Sequence, residues 1–135
     1  MRILVVDDDA SIRKLLRDVL EMHGHAVIEA DTLREGAAIL EARVVELAVI
    51  DGRVPKDRQS RTVEAFGPAL AQRARALGVR TILMSAQDEL IDGELRAGHA
   101  ALLKPFSLQA ILAAVAPPAG GSPVAAFQPV GRLAA

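Results

Sequence analysis

Five short strand-like runs, each closed by a polar residue, limit what this chain can fold into. They are Ile3–Val6 before Asp7, Ala26–Ala30 before Asp31, Leu47–Ile50 before Asp51, Thr81–Met84 before Ser85, and Ala100–Leu103 before Lys104. Runs that are almost wholly apolar suit strands covered on both faces, because a strand with one wet face alternates apolar and polar residues. Between the runs the period changes. Ile12, Leu15, Leu16, Val19 and Leu20 mark one face of a helix that Gly24 ends. Thr32-x-x-Glu35 reads as a capping box that opens a second helix to about Ala42. A third helix, without a clear start, runs to Leu77 before Gly78. Asp88 to Ala97 forms a fourth, weakened by about 1 kcal/mol at Gly93, and Ser107 caps a fifth to about Val115. Strands alternating with helices predict the α/β class, with a parallel sheet covered by helices on both faces.

Composition narrows the functional classes. Aromatic residues make up 2% of the chain and Trp and Tyr are absent, so the core must be aliphatic. There is no Cys, which excludes disulfides, cysteine zinc sites and thiol nucleophiles. A net charge of −1 gives no reason to expect nucleic acid or an anionic membrane as partner. No apolar run is long enough to span a bilayer. The first strand begins within two residues of Met1, leaving no room for a signal peptide, so the expected location is the cytoplasm. His23, His25 and His99 lack metal-ligand spacing and read as structural or surface residues. Residues 117–135 are rich in Pro, Gly and Ala without an acid, and read as a flexible tail after a domain at 1–116.

In an open α/β sheet, ligands bind beyond the carboxyl ends of the strands. The residues expected there are Asp7, Asp8 and Asp9, then Asp51, Ser85 and Lys104. Adjacent carboxylates repel one another, and a hard divalent cation such as Mg²⁺ relieves that repulsion through oxygen ligands. A carboxylate can also act as a nucleophile and become an aspartyl-phosphate. The transferring phosphoryl group then needs its charge met by metal, ammonium and hydroxyl. Asp51, Lys104 and Ser85 carry the required groups.

VVDDD, LAVIDGRVP, ILMSA and LLKPF, in that order and each at a strand end, resemble the receiver domain of two-component response regulators. The resemblance covers roughly residues 2–116. It implies a flavodoxin-like fold, a three-layer α/β/α doubly wound sheet of five parallel strands in the order 2-1-3-4-5. It implies that Asp51 is the phosphoacceptor, that Asp8 and Asp51 bind Mg²⁺ directly and Asp7 through water, and that the Arg53 backbone carbonyl is a further ligand. Ser85 and Lys104 are then expected on the phosphoryl oxygens. The phosphoryl donor is expected to be a sensor histidine kinase or a histidine phosphotransfer protein, with an unidentified downstream protein as target. The expected activity is that of a stand-alone receiver, not an enzyme beyond promoting its own phosphorylation and dephosphorylation. Asp9 has no role in this scheme except as a polar start to the first helix.

Several features depart from the family pattern. Ala101 occupies a position that is usually aromatic, the stretch VPKDRQSR replaces a familiar Met-Pro sequence, and the segment between Asp51 and Ser85 is longer than usual. The segment from Ser85 to Lys104 is shorter, so the fourth helix should be short, shifted or partly unwound. The cluster Lys56–Arg61 reads as a solvated loop, or else as a guide for an acidic partner or a gate. Two other functions compete. One is a receiver-like interaction module that is not phosphorylated. The other is a phosphatase, because Asp7-x-Asp9 resembles the first motif of haloacid dehalogenase-type enzymes, although residues 105–135 contain no acid to complete that site.

Overall fold

The computed structural model describes residues 1–117. Strands β1 (Arg2–Val6), β2 (Ala26–Ala30), β3 (Leu47–Asp51), β4 (Arg80–Ser85) and β5 (Ala100–Leu103) alternate with helices α1 (Ala10–Met22), α2 (Leu33–Glu41), α3 (Gly67–Ala76), α4 (Asp88–Arg96) and α5 (Leu108–Val115). The strands form one sheet in the order β2-β1-β3-β4-β5, the expected order. The neighbours β1–β2, β1–β3 and β4–β5 run parallel. The chain divides into two compact units, Met1–Thr81 and a second beginning at Ile82.

In the first unit β1 lies between β2 and β3, and Ile3, Leu4, Val5 and Val6 are all 0% exposed. That is why the run is continuously apolar: neither face of this strand meets water. Each fully buried aliphatic side chain contributes about 1.5–3 kcal/mol against the entropy of ordering the chain. Leu16 and Leu20 of α1, Leu40 of α2 and Leu70 of α3 are buried in the same unit. Asp9 is the N-cap of α1, its carboxylate accepting from the Ser11 N–H at 2.8 Å. The Thr32 hydroxyl caps α2 by accepting from the Glu35 N–H at 3.1 Å. The Glu35 carboxylate takes Arg58 at 3.0 Å, so the sequence's capping box is made through its threonine half.

The segment between β3 and α3 is a loop with an exposed Lys56–Arg61 cluster, as its composition suggests, but its backbone is tied down. Val54 and Glu64 form an antiparallel bridge, and Val54 is fully buried. Gly67 N–H donates to the Gly52 carbonyl at 3.1 Å, closing residues 52–66 into a compact Ω-like loop. Its Pro55 and Lys56 carbonyls accept from Leu33 N–H at 2.9 Å and Arg34 N–H at 3.0 Å, two groups the first turn of α2 cannot satisfy itself. Arg58 pairs with Glu35 and Asp31, and Arg34 pairs with Asp57. Lys56, Arg58, Gln59 and Arg61 nevertheless stay exposed, so these bonds tether a solvated cluster to α2.

In the second unit β4 and β5 pair in the register Ile82–Ala100 to Ser85–Leu103. α4 is short but continuous over nine residues, so it is not unwound. Gly93 within it has no neighbour within 4 Å of where a Cβ would stand, and its cost is therefore one of helix propensity alone. The Ser107 hydroxyl caps α5 through the Ala110 N–H at 3.0 Å. The tail expected at 117–135 lies, beyond Pro117, outside the described residues.

Candidate phosphoacceptor site

The site is set by strand register. Val6 of β1 pairs with Ile50 of β3, so the next residues, Asp7 and Asp51, emerge side by side at the carboxyl ends of adjacent strands. Asp8 follows directly. One carboxylate oxygen from each of Asp7, Asp8 and Asp51 lies within 4.8 Å of the others, the one such grouping of candidate metal ligands among the described residues. Asp7 is 1% exposed, Asp51 partly buried and Asp8 exposed.

Asp7 is held on three sides. Its N–H donates to the Ala30 carbonyl at 3.1 Å, its Oδ1 accepts from the Asp9 N–H at 2.9 Å, and its carbonyl accepts from Arg13 at 2.7 Å. Arg13 in turn pairs with Glu29 at 3.0 Å. This arginine was not legible as part of the site, since on a helical wheel it reads as a solvent-facing cation. Asp51 is backed by Gly67, where any Cβ would collide with the Asp51 carbonyl oxygen and stand 2.5 Å from the Gly52 Cα. No sequence signal marks Gly67 either, because it is set by a close approach between segments that are remote along the chain.

Arg53 opens the Ω-like loop two residues after Asp51. Its N–H lies 3.5 Å from Asp51 Oδ1, and its guanidinium donates to the Val63 carbonyl at 3.0 Å. In the second unit, Ser85 ends β4 and is 3% exposed. Its carbonyl accepts from the Lys104 N–H at 2.7 Å, and its hydroxyl accepts from the Gln87 N–H at 3.0 Å. Ser85 and Lys104 thus stand at neighbouring strand ends, as Asp7 and Asp51 do in the first unit. The Lys104–Pro105 peptide is cis.

An all-oxygen donor set with this spacing fits a small hard cation such as Mg²⁺, which favours carboxylates over nitrogen or sulfur ligands. Asp9 lies outside this grouping, and its carboxylate accepts from the Ser11 N–H at 2.8 Å as the N-cap of α1.

The family model for the response regulator receiver domain matches residues 3–116. The chain belongs to this family. Among curated proteins, this receiver domain is 28% identical over 118 residues to the phosphate regulon transcriptional regulatory protein PhoB of Pseudomonas aeruginosa, covering 82% of this chain and 48% of that protein. It is 31% identical to the probable transcriptional regulator ycf27 of Porphyridium aerugineum, covering 78% of this chain and 42% of that one. It spans less than half the length of both these relatives. Among solved structures, a CheY-like receiver domain protein from Methanospirillum hungatei superposes with a TM-score of 0.67 at 32% identity, covering 82% of this chain and 86% of that one. Among the described residues no helix of the receiver is long and apolar enough to cross a membrane.

Proposed function

We propose that this receiver accepts a phosphoryl group from a phosphohistidine onto Asp51 and signals by protein–protein contact. The donor is a sensor histidine kinase or a histidine phosphotransfer protein. The observation that carries the reading is the convergence of the Asp7, Asp8 and Asp51 carboxylates within 4.8 Å at the ends of β1 and β3. Carboxylates this close repel one another, and a hard divalent cation relieves that repulsion.

An Asp51 carboxylate oxygen forms the new bond to phosphorus as the donor's N–P bond breaks, and the electron pair of that bond leaves with the imidazole nitrogen. Asp8 and Asp51, the Arg53 backbone carbonyl, and Asp7 through water would hold Mg²⁺, which supplies positive charge beside the phosphoryl oxygens. Lys104 places an ammonium on one phosphoryl oxygen, and Ser85 donates a hydroxyl hydrogen bond to another. Only Asp51 is consumed and regenerated; the others orient the group and neutralise it. The phosphatase alternative would need Asp9 as its proton donor, yet that carboxylate caps α1.

The test is incorporation of phosphate from acetyl phosphate with Mg²⁺, followed by intact-protein mass spectrometry. The native chain should gain one phosphoryl group and Asp51→Asn none, while Asp8→Ala should lose Mg²⁺ binding and phosphorylation together. Labelling of Asp51→Asn would reassign the acceptor. No labelling of the native chain by acetyl phosphate or by any of a panel of kinases would favour the unphosphorylated interaction module.

A further inference from the structure

A second feature of the first unit has no part in phosphoryl transfer. Between α2, α3 and the 52–66 loop lies a hollow of about 380 Å³. Its floor is apolar: Leu33 and Ala37 from α2, Ala69 and Leu70 from α3. It exists because alanines stand at 37 and 69, where larger side chains would fill the gap between the helices. Its rim is cationic, with Arg34 on α2, Lys56 on the loop and Arg73 on α3.

We propose that this groove is a docking surface for an acidic amphipathic helix of a partner protein, with apolar side chains in the hollow and carboxylates on the rim. Charge complementarity points to the sign of the partner. The chain as a whole carries −1, yet residues 52–80 hold seven Arg and Lys against two Asp and Glu, and α3 has no acid. Among the described residues none pairs with the Lys56 ammonium. Arg34 and Arg73 do pair, with Asp57 and Glu41, but their side chains are 73% and 56% exposed. Exposed pairs of this kind are weak and exchange readily for a better-placed carboxylate.

The layout points to a helix. Leu33 and Ala37 are four residues apart on α2, and Ala69 and Arg73 are four apart on α3, so each wall presents one face over a full turn. A helix laid in such a groove reads it with anchors at i and i+4. The proposal does not depend on phosphorylation of Asp51, so it can fail while the receiver reading stands, and the reverse.

The test is a selection of displayed helical peptides of random sequence against the full, unphosphorylated chain, followed by titration of synthetic copies into ¹⁵N-labelled protein. The expected winners carry Asp or Glu around apolar residues spaced i, i+4, and shift the amides of Leu33–Ala37 and Ala69–Arg73. Ala69→Leu, at an exposed position where the fold tolerates it, should fill the hollow and weaken binding about tenfold or more. Lys56→Glu should weaken it similarly, and Lys14→Glu on α1 should not. Winners without net negative charge, shifts mapped elsewhere, or affinity untouched by both groove variants would overturn the proposal. So would binding of decanoate in the hollow when no peptide binds, which would mark a small-amphiphile site. A concentration-dependent dimer lost in both variants would overturn it in favour of a second copy as occupant.

Discussion

At the scale of single residues, three adjacent aspartates with the same chemistry do three different things, and position alone separates them. Asp7 is buried and tied through its N–H, its carbonyl and its carboxylate. Asp8 is exposed and joins the acidic cluster, and Asp9 turns back to cap a helix. Gly67 shows the same dependence on place. Its φ is not in the left-handed region, so its need for glycine is a matter of space, not backbone freedom. Gly67→Ala would push a methyl group into the carbonyl of Asp51 and the backbone of Gly52. The expected cost is about 1–3 kcal/mol, as for overpacked sites, read as a lower urea midpoint. The shift would strike the backbone of Asp51, the proposed acceptor, so phosphate incorporation should fall in the same variant.

At the scale of elements, the 52–66 loop is the part of the receiver with most consequence. It begins beside Asp51, and its carbonyls complete the first turn of α2. Asp57 organises it, accepting from the Gln59 N–H, the Ser60 N–H and the Ser60 hydroxyl at 3.0–3.1 Å. Burial pushes the Asp57 carboxyl up, but these hydrogen bonds and Arg34 outweigh it and hold the pKa below its ordinary value. Removing the carboxylate should loosen the loop and, through Pro55 and Lys56, the N-terminus of α2. Asp57→Ala is expected to speed amide exchange at Ser60, Leu33 and Arg34 by roughly tenfold while Leu20 on α1 is unchanged. Equal rates at Leu33 and Arg34 would mean that the loop does not support that helix. The loop thus joins Asp51, the proposed acceptor, to the first turn of α2.

At the scale of the whole molecule, a response of stability to pH is expected at His25, which joins the start of β2 to Met1. The Met1 amine and His25 Nδ1 are 3.2 Å apart. Burial lowers the His25 pKa below 6.5, the Met1 ammonium and His23 lower it further, and Glu46 opposes them. As the pH falls past 6.5 the unfolded chain therefore takes up a proton at His25 before the folded one does. Stability is fully present above that value and is lost as the pH drops through the lower folded pKa. The urea midpoint should fall between about pH 7 and about pH 5, and His25→Gln should flatten that part of the curve. A native profile already flat there would show that His25 is as free to protonate in the fold as in the unfolded chain. As for what could be read in advance, the sequence alone determined the element order, all five strands to within a residue at each end, the caps at Thr32 and Ser107, and the list of polar strand ends. These are local properties, written in the period of the apolar residues and in hydroxyls placed just before helices. The register that sets Asp7 beside Asp51, the support from Arg13 and Gly67, and the folding of the Lys56–Arg61 segment onto α2 were decided only in three dimensions. Each depends on an approach between stretches far apart in the chain, and side-chain spacing carries no record of which remote backbone will arrive.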